Sequence, residues 1–294
     1  MRGQILITGA SGLLGSMLSK QAVEYAGSIL SLYRSRKIDY DGVECVQLDL
    51  SDGKLNTALG HFNPSIIFHC AALADVDLCE RDPELAWIQN VQNTEHVTQY
   101  ASDVGAKMVH ISTDAIFSGK DGMYRRSDPA NPVNVYGETK LQAEQVVRGE
   151  ADDHLIIRTN FFGANVTCGQ SLAEWIIARL QQGSEVPAFE DAFFSPIYTG
   201  DLARILLEIS KSDVTGTYHV CGPERVSKHE FANLLADEFG LDNDLINRSS
   251  IGEVDLDAER GQDLSLSVKG TKRALGVNFP SLEQGIARFS AESL

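Results

Sequence analysis

Short apolar runs alternate with amphipathic stretches over the first 160 residues. The runs typical of buried strands are 4–8, 28–34, 43–50, 65–72 and 107–113. Helical patterns separate them: one continues from the first turn to about Tyr25, and a longer one begins at Pro83 and ends at Gly105. A shorter pattern follows Ser51, which we expect to cap it. Because strands that alternate with helices form right-handed βαβ units, the pattern predicts an α/β fold with a Rossmann-type, doubly wound parallel sheet.

The pattern becomes less regular after Arg158. The helices predicted there are 170–182, 199–211, 227–239 and 281–291, and the short strands are 184–188 and 216–220. The stretch 241–269 is polar, charged and weakly patterned. We therefore predict a boundary near residue 160 and a smaller C-terminal α/β lobe, with chain crossovers between the two parts left open.

A glycine-rich loop directly follows the first strand and opens the first helix. Its glycines have the spacing GxxGxxG. In this context glycines permit a tight turn, a close approach of a pyrophosphate and close helix–strand packing, while the helix N-terminus favours the phosphate charge. The loop therefore predicts a dinucleotide site, with contacts from Gly9, Ser11, Gly12, Leu13, Leu14 and Gly15.

The end of the second strand predicts which dinucleotide binds. An acidic residue there would hydrogen-bond the ribose 2′-hydroxyl of NAD, but residues 33–37 read YRSRK. Arg34 can stack on adenine and pair with a 2′-phosphate. We therefore predict NADP(H) as the cofactor; the other interpretation of this segment is a solvated basic loop.

The ends of the third and fourth strands predict further cofactor contacts. Asp49 is placed to accept a hydrogen bond from the adenine amine, and the alternative is that it caps the next helix, a role that Ser51 fits better. Small residues end the fourth strand, where the backbone must pass beside the cofactor. The contacts predicted here are Asp49, Leu50, Ala71 and Ala72.

A tyrosine and a lysine lie four residues apart on a predicted helix. This spacing puts Tyr136 and Lys140 on one helical face. The ammonium would lower the pKa of the phenol, which could then donate a proton to an alkoxide, and the lysine could also hold the nicotinamide ribose. Ser112 and Thr113 end the fifth strand, at the sheet edge where chemistry is expected, and could bind a substrate carbonyl. The combination predicts reduction of a ketone.

The charge and the cysteine content of the sequence indicate which partners and which compartment to expect. Lys and Arg total 25 against 41 for Asp and Glu, a net charge of −16 that repels nucleic acid and anionic membranes. With the first strand at residue 4 we expect no signal peptide, and no apolar stretch reaches membrane-spanning length. We expect a cytoplasmic protein without a catalytic metal, its thiols reduced at Cys45, Cys70, Cys79, Cys168 and Cys221.

Six segments together resemble the dTDP-4-dehydrorhamnose reductase family of extended short-chain dehydrogenases. In chain order they read TGASGLLG, STDAIFSG, NPVNVYGETKLQAE, IIRTNFFG, SPIYTGDLA and YHVCGPERVSKHEFA. The resemblance begins near residue 4 and extends to the C-terminus. It implies an NADP(H)-binding domain over 1–160, which carries the catalytic Tyr and Lys, and a mainly substrate-binding lobe over 161–294.

The resemblance also implies an activity and a site. NADPH would reduce the 4-keto group of dTDP-4-dehydro-L-rhamnose to give dTDP-L-rhamnose. The family's catalytic triad falls on Thr113, Tyr136 and Lys140. The implied substrate-side residues are Val76, Asp77, Ser112, Phe161 and Arg260, with Glu80 and Asn90 at further family positions. A small nucleotide-sugar partner is expected, and a homodimer is left open.

This chain departs from the family pattern on the substrate side. Leu78 stands where a lysine often follows the Val-Asp pair, and Gly261 follows Arg260 where the family has proline. The exact substrate therefore stays open. Two alternatives remain: a nucleotide-sugar epimerase or dehydratase, and an NADP(H)-binding regulatory subunit without turnover, because the regulatory β subunit of methionine adenosyltransferase resembles the same family.

Overall fold

Thirteen strands and eleven helices are defined in the computed structural model, which describes residues 3–165 and 171–293. The strands are β1 Gln4–Thr8, β2 Ser28–Tyr33, β3 Glu44–Gln47, β4 Ile66–His69, β5 Lys107–Ile111, β6 His154–Arg158, β7 Phe161–Phe162, β8 Val186–Phe189, β9 Phe193–Phe194, β10 Ile197–Tyr198, β11 Gly216–His219, β12 Val226–Ser227 and β13 Ile246–Ser249. The helices are α1 Leu13–Ala22, α2 Leu55–Leu59, α3 Val76–Arg81, α4 Pro83–Trp87, α5 Asn93–Val104, α6 Val135–Glu150, α7 Leu172–Gln181, α8 Thr199–Ile209, α9 Lys228–Phe239, α10 Lys269–Leu275 and α11 Leu282–Ser293.

Seven parallel strands form the central sheet, in the order β11-β6-β5-β4-β1-β2-β3. The chain winds outward from β1 in one direction through β2 and β3, and then in the other direction from β4 onward. In register, Ile5 of β1 lies beside Ile29 on one side and Ile66 on the other. This is the predicted doubly wound α/β fold, which is confirmed. Such a sheet opens a crevice at the carboxyl ends of β1 and β4, where the winding reverses.

Both faces of the sheet are covered by helices. Ile5 and Ile7 pack in a cluster that includes Leu18 of α1 and Leu206 of α8, whereas Leu6 points to the opposite face. That second face buries residues of α2, α5 and α6, among them Leu55, Val97 and Val147. Alternate residues of β1 are therefore buried on both sides, as expected for a parallel sheet between two helical layers.

The chain crosses back into this sheet after residue 160. β11 pairs with β6, and α8 packs against α1. The part of the molecule built around the Rossmann-type sheet therefore includes segments from the second half of the sequence, and a cut at residue 160 does not separate the two parts in space.

A second, smaller core lies in the C-terminal half. It is centred on Phe231 of α9, whose ring packs edge-on against Phe162 and Phe194 at centroid distances of 5.2 and 5.4 Å. Helices α7, α9 and α11 surround two-stranded pairs, including the parallel pair β8–β13. α7 and α9 each begin with a Ser capping box, which ends the preceding loop and starts the helix at a defined residue.

The structure differs from the sequence predictions at three places. The helix predicted between Pro83 and Gly105 is interrupted by a π-helical turn at Ile88–Gln92. The helical pattern after Ser51 yields only a 3₁₀ turn, Leu50–Asp52, and the short α2. The weakly patterned stretch 241–269 contains β13. Among the helices of the described residues, none combines the length and the apolarity that crossing a membrane requires.

Candidate active site

The carboxyl ends of β1, β2 and β4 border a cavity of about 270 Å³. Eight of the residues predicted to contact the cofactor line it: Gly9, Ser11, Gly12, Arg34, Asp49, Leu50, Ala71 and Ala72. Leu13, Leu14 and Gly15 do not. The Leu14 side chain is buried in the core, so these three residues shape the loop and the helix start instead of lining the cavity.

Gly9 and Gly15 allow the backbone of this loop to pack closely. Gly9 has φ +66°, and a Cβ there would lie 2.6 Å from the amide nitrogen of Ala71. A Cβ on Gly15 would lie 2.3 Å from the carbonyl oxygen of Gly9. Because real Cβ atoms do not approach backbone so closely, only glycine fits at both positions. The result is a cradle of backbone at the N-terminus of α1, a favourable place for phosphate.

The basic segment after β2 borders the same cavity. Arg34 is exposed, and its Nη1 donates to Oε1 of Gln89 at 2.7 Å. Tyr33, Ser35 and Arg36 also line the cavity. A guanidinium at this position offers the planar donor set that a 2′-phosphate needs.

Asp49 has the capping role that the sequence analysis assigned to Ser51, and that part of the prediction is wrong. Its Oδ1 accepts from the backbone N and from Oγ of Ser51, at 3.0 and 2.6 Å. These hydrogen bonds lower the pKa of Asp49, with a smaller contribution from Arg34. The cap needs the acceptor before the first helical N–H, which places it at Asp49. Asp49 nevertheless lines the cavity, so an adenine contact stays a prediction.

The sequence analysis missed three amide side chains of this cavity. Gln89 and Asn93 lie one turn apart at the π-helical turn, and Asn165 follows β7. Their signal was weak because polar residues on a long amphipathic helix usually face solvent. Only the packing of that helix beside the glycine loop turns the first two amides toward the cavity.

A larger cavity of about 570 Å³ lies between the carboxyl ends of β5 and β6 and the smaller lobe. The predicted residues that line it are Val76, Ser112, Thr113, Tyr136, Phe161 and Arg260. The sheet thus brings together residues that are up to 184 positions apart in the sequence (Val76 to Arg260). Asp77 does not line this cavity.

Tyr136 and Thr113 both line this cavity. Tyr136 lies in the first turn of α6, which begins here because the Asn134 side chain accepts from the backbone N of Gly137 at 2.9 Å. Burial raises the pKa of Tyr136 well above its usual value, and the nearby carboxylate of Asp114 raises it further. The phenol therefore keeps its proton at neutral pH and can act as a proton donor.

Lys140 is buried one turn further along α6, with its side-chain nitrogen turned toward β5. Nζ donates to the carbonyl oxygen of Ile111 at 2.7 Å and lies 3.5 Å from Nε2 of His110. Burial lowers the pKa of Lys140 to about 8. The predicted lowering of the phenol pKa by this ammonium is not found: the pKa of Tyr136 is raised, because burial outweighs the opposite effect of Thr113.

Ser112 is held in a buried network behind the site. Its Oγ donates to Oε1 of Glu144 at 2.6 Å, and Arg158 donates to both carboxylate oxygens of Glu144 at 2.9 and 2.8 Å. Burial opposes ionisation of Glu144, yet these bonds hold its pKa below the usual value. The Ser112 hydroxyl therefore donates its proton to Glu144, and its contact with a substrate carbonyl stays a prediction.

The implied substrate-side residues form a link between the two parts of the molecule. Nη2 of Arg260 donates to Oδ2 of Asp77 at 2.9 Å, and the backbone N of Ala258 donates to Oδ1 at 3.1 Å. Glu80 instead accepts from the backbone N of Val135 at 3.0 Å and so supports the start of α6. Asp77 therefore positions Arg260, which borders the cavity.

Asn90 has a structural task at the π-helical turn. Its side chain accepts from the backbone N of Leu73 at 2.8 Å and donates to Oγ1 of Thr139 at 3.0 Å. It thereby ties the loop after β4 to α6, the helix that carries Tyr136 and Lys140.

The thiol and acidic side chains of the described residues form neither a disulfide nor a metal site. Cys45, Cys70, Cys79 and Cys221 are free thiols, and Cys168 lies outside the described residues. Within residues 3–165 and 171–293, no three His, Cys, Asp or Glu side chains are grouped as metal ligands.

Comparisons with known proteins assign this arrangement to a family. The family described as RmlD substrate binding domain matches residues 1–294. The crystal structure of dTDP-4-dehydrorhamnose reductase from Bacillus anthracis, in complex with NADP, has a TM-score of 0.87 and 27% identity, and covers 99% of this chain and 100% of that chain. The chain belongs to the dTDP-4-dehydrorhamnose reductase family. This is a family of NAD(P)-dependent oxidoreductases, and the predicted family and enzyme class are confirmed.

Two relatives from this family differ in role. The probable low-salt glycan biosynthesis reductase Agl14 of Haloferax volcanii is 31% identical over 290 residues, which are 97% of this chain and 96% of that protein. The β subunit of methionine adenosyltransferase 2 from Xenopus laevis is 32% identical over 243 residues, which are 80% of this chain and 72% of that protein. Membership of the family therefore leaves the substrate open.

Proposed function

We propose that this protein uses NADPH to reduce the 4-keto group of dTDP-4-dehydro-L-rhamnose, giving dTDP-L-rhamnose. The observation that carries the proposal is the position of Tyr136. Its protonated phenol and Thr113 line a 570 Å³ cavity at the carboxyl edge of the sheet. Reductases of this name from Bacillus anthracis and from Mycolicibacterium smegmatis, the latter 32% identical over 250 residues, belong to the same family.

The residues around the smaller cavity fit a bound dinucleotide. Gly9 leaves no room for a side chain where the loop meets Ala71, and Gly15 leaves none where α1 meets Gly9, so backbone N–H groups at the start of α1 are available for a pyrophosphate. Arg34 would contact the 2′-phosphate, and the backbone at Ala71 and Ala72 would border the ribose. When bound, NADPH supplies the hydride. The remaining tasks fall to side chains of this chain.

Tyr136 supplies the proton that the reduced oxygen needs. A phenol that holds its proton at neutral pH can donate it as negative charge develops on the substrate oxygen, a role typically worth about 10²–10⁴ in rate. Thr113 lines the same cavity and donates its hydroxyl proton to Oδ1 of Asp114 at 3.1 Å, so its oxygen can accept a hydrogen bond from the phenol. Lys140, charged below pH about 8, would hold the nicotinamide ribose.

The larger cavity has room for a sugar and part of a nucleotide. Val76 and Phe161 line it from opposite parts of the chain, and Arg260 adds a cation at its border. A guanidinium suits a diphosphate, since it offers paired donors in one plane. Arg260 is held in place by Asp77, which explains why that carboxylate matters for a site that it does not line.

A second candidate function is regulatory binding of NADP(H) without turnover. The identity of 32% to the Xenopus laevis methionine adenosyltransferase β subunit favours it. The two functions predict different results with the same purified protein, because a regulator binds NADPH but leaves it unoxidised.

The proposal is tested with a panel of activated sugars. Purified protein and NADPH are mixed in turn with dTDP-4-dehydro-L-rhamnose, with a second 4-keto-6-deoxy sugar, and with dTDP-glucose as a control that has no ketone. We expect NADPH oxidation with the keto sugars and dTDP-L-rhamnose as the product by NMR. Binding of NADPH without oxidation would support the regulator, and a change of sugar without NADPH consumption would indicate an epimerase or dehydratase.

A further inference from the structure

Lys228 is a cation in an electrostatically unfavourable place. It is the first residue of α9, directly after the Ser227 cap. The N-terminus of a helix carries partial positive charge, which disfavours a lysine there. Burial lowers the pKa of Lys228 to about 8, with Asp114 acting in the opposite direction, so the side chain is still charged at neutral pH. The position at the start of the helix therefore does not explain this charge.

The side chain of Lys228 borders the larger cavity. Its Nζ lies 3.2 Å from the centroid of the Phe194 ring, which fixes the ammonium against an aromatic face. Phe194 and Lys228 both line the cavity that contains Thr113 and Tyr136. The ammonium therefore faces the space that a substrate would occupy.

Asp114 lines the same cavity; burial raises the pKa of this carboxyl group, while Asn160, Lys228 and Thr113 act in the opposite direction and favour the carboxylate. Its Oδ2 accepts from Nδ2 of Asn160 at 2.7 Å, and its Oδ1 accepts from Oγ1 of Thr113 at 3.1 Å. Each carboxylate oxygen keeps a free lone pair. Among the described side chains, no carboxylate is within the ion-pair distance of 4.0 Å from Lys228 Nζ. The ammonium and the carboxylate thus act on one another across a gap.

A hydroxyl group is the chemistry that fits this gap. It can accept a hydrogen bond from Lys228 and donate one to Asp114 at the same time. A sugar carboxylate would pair with Lys228 but would be repelled by Asp114. A purely apolar group would leave the buried ammonium of Lys228 without a hydrogen-bond acceptor, which is costly.

We infer that Lys228 is a specificity-determining residue that, together with Asp114, binds a ring hydroxyl of the sugar next to the carbon that reacts. Proximity to the reacting carbon follows from Thr113, which donates to Asp114 and lines the same cavity as Tyr136. The identity of the sugar rests on the proposed function. The pair selects a neutral, hydroxylated sugar over one that carries a carboxylate.

Binding measurements test the proposed role of Lys228 and do not require turnover. dTDP-L-rhamnose, and separately dTDP, are titrated into NADP⁺-loaded protein by calorimetry. For Lys228→Met we expect the Kd of dTDP-L-rhamnose to rise at least about tenfold, as for loss of a hydrogen bond from a charged group, and the Kd of dTDP to stay within about twofold. The matched control is Lys211→Met, which removes another lysine held over an aromatic ring, Tyr25, on the surface of the molecule. It should change neither value.

Stability and kinetics separate a binding role from a structural one. Lys228→Met should melt no lower than the parent protein, because it removes a cation from a helix N-terminus. With keto sugar and NADPH, Lys228→Met should raise KM, and Asp114→Asn combined with Lys228→Met should cost less than the sum of the single changes. Additive effects would contradict a shared hydroxyl.

The outcomes distinguish this inference from the proposed function. Equal weakening of dTDP and dTDP-L-rhamnose would overturn the inference, because the ammonium would then contact the nucleotide. Unchanged binding of both would overturn it as well. If the parent protein binds dTDP-L-rhamnose through Lys228 but oxidises no NADPH, the inference stands and the reductase proposal fails. If it does not bind dTDP-L-rhamnose, both fail.

Discussion

The Lys140 ammonium donates to the carbonyl of Ile111, although Tyr136 lies only one helical turn away on the same face. The four-residue spacing predicted their common face, but it could not predict what else would compete for the ammonium. Burial then sets both protonation states: it raises the pKa of the phenol and lowers the pKa of the lysine. At neutral pH both groups are protonated, the states that proton donation and ribose binding require.

This account predicts a pH dependence with a defined sign. Because burial lowers the pKa of Lys140 from 10.5 to about 8, the side chain is charged below that pH and neutral above it. We expect kcat/KM for the keto sugar, measured at saturating NADPH from pH 6 to 10, to fall as the pH rises through about 8. Lys228 also has a pKa of about 8, so the Lys228→Met variant is the control. A fall that disappears in this variant would contradict the assignment to Lys140.

Substitution of Arg34 tests the predicted preference for NADPH over NADH. Replacing it with Asp removes the donors for a 2′-phosphate and introduces an acceptor for a 2′-hydroxyl. We expect the ratio of kcat/KM for NADPH over NADH to fall at least about tenfold, as for loss of a charge-assisted hydrogen bond. Arg273→Asp, at an exposed arginine in the last turn of α10, makes the same charge change away from the cavity. An equal fall in both variants would point to net charge and not to recognition.

Among the secondary-structure elements of the site, the sequence predicted the glycine loop but missed the π-helical turn and assigned one helix cap to the wrong residue. The loop between β1 and α1 was predicted because its glycine spacing is specific and local. The π-helical turn at Ile88–Gln92 was not, since one inserted residue barely changes an amphipathic pattern. The cap at Asp49 was assigned to Ser51 because both residue types cap helices and the two lie only two positions apart.

Substitutions at two glycines with similar backbone angles would distinguish the cost of a positive φ from the cost of a steric clash. Gly105 has φ +68°, and a Cβ added there would meet nothing within 4 Å, whereas Gly9 has φ +66° and a Cβ there would lie 2.6 Å from the nitrogen of Ala71. Gly105→Ala should lower the free energy of unfolding by about 1–2 kcal/mol, the ordinary cost of this conformation. Gly9→Ala should lower it more and also weaken NADPH binding. Chemical denaturation and NADPH titration measure both effects, and equal losses of stability would refute the close approach to Ala71.

At the scale of the whole molecule, the site lies where two parts of the chain meet. Thr113 and Tyr136 come from the sheet and α6, while Lys228 and Arg260 come from the C-terminal half. The glycine loop and the Tyr–Lys pair were predictable because each is encoded within a few residues. The shared position of Lys228 and Asp114 at one cavity was not predictable, because 114 positions separate them in the sequence and only tertiary packing brings them together.

The contact between Asp77 and Arg260 joins these two parts. Both side chains are about a quarter exposed, so the ion pair itself should contribute less than about 1 kcal/mol to stability. Arg260→Gln should therefore leave the melting temperature nearly unchanged while raising KM for the keto sugar about tenfold, since a charged hydrogen-bond donor is lost. Arg204→Gln, which breaks two ion pairs on α8, with Asp201 and with Glu208, is the control. A large loss of stability without a change in KM would assign Arg260 a structural role.

Comparison of the parent protein with Tyr136→Phe in a single turnover tests the central claim most directly. Enzyme in excess is loaded with NADPH and mixed with dTDP-4-dehydro-L-rhamnose, and loss of the reduced nicotinamide absorbance is followed. We predict one NADPH oxidised per keto sugar by the parent, and a rate about 10²–10⁴ lower in Tyr136→Phe with NADPH binding retained. An unchanged rate in Tyr136→Phe would contradict the assignment of this phenol as the proton donor.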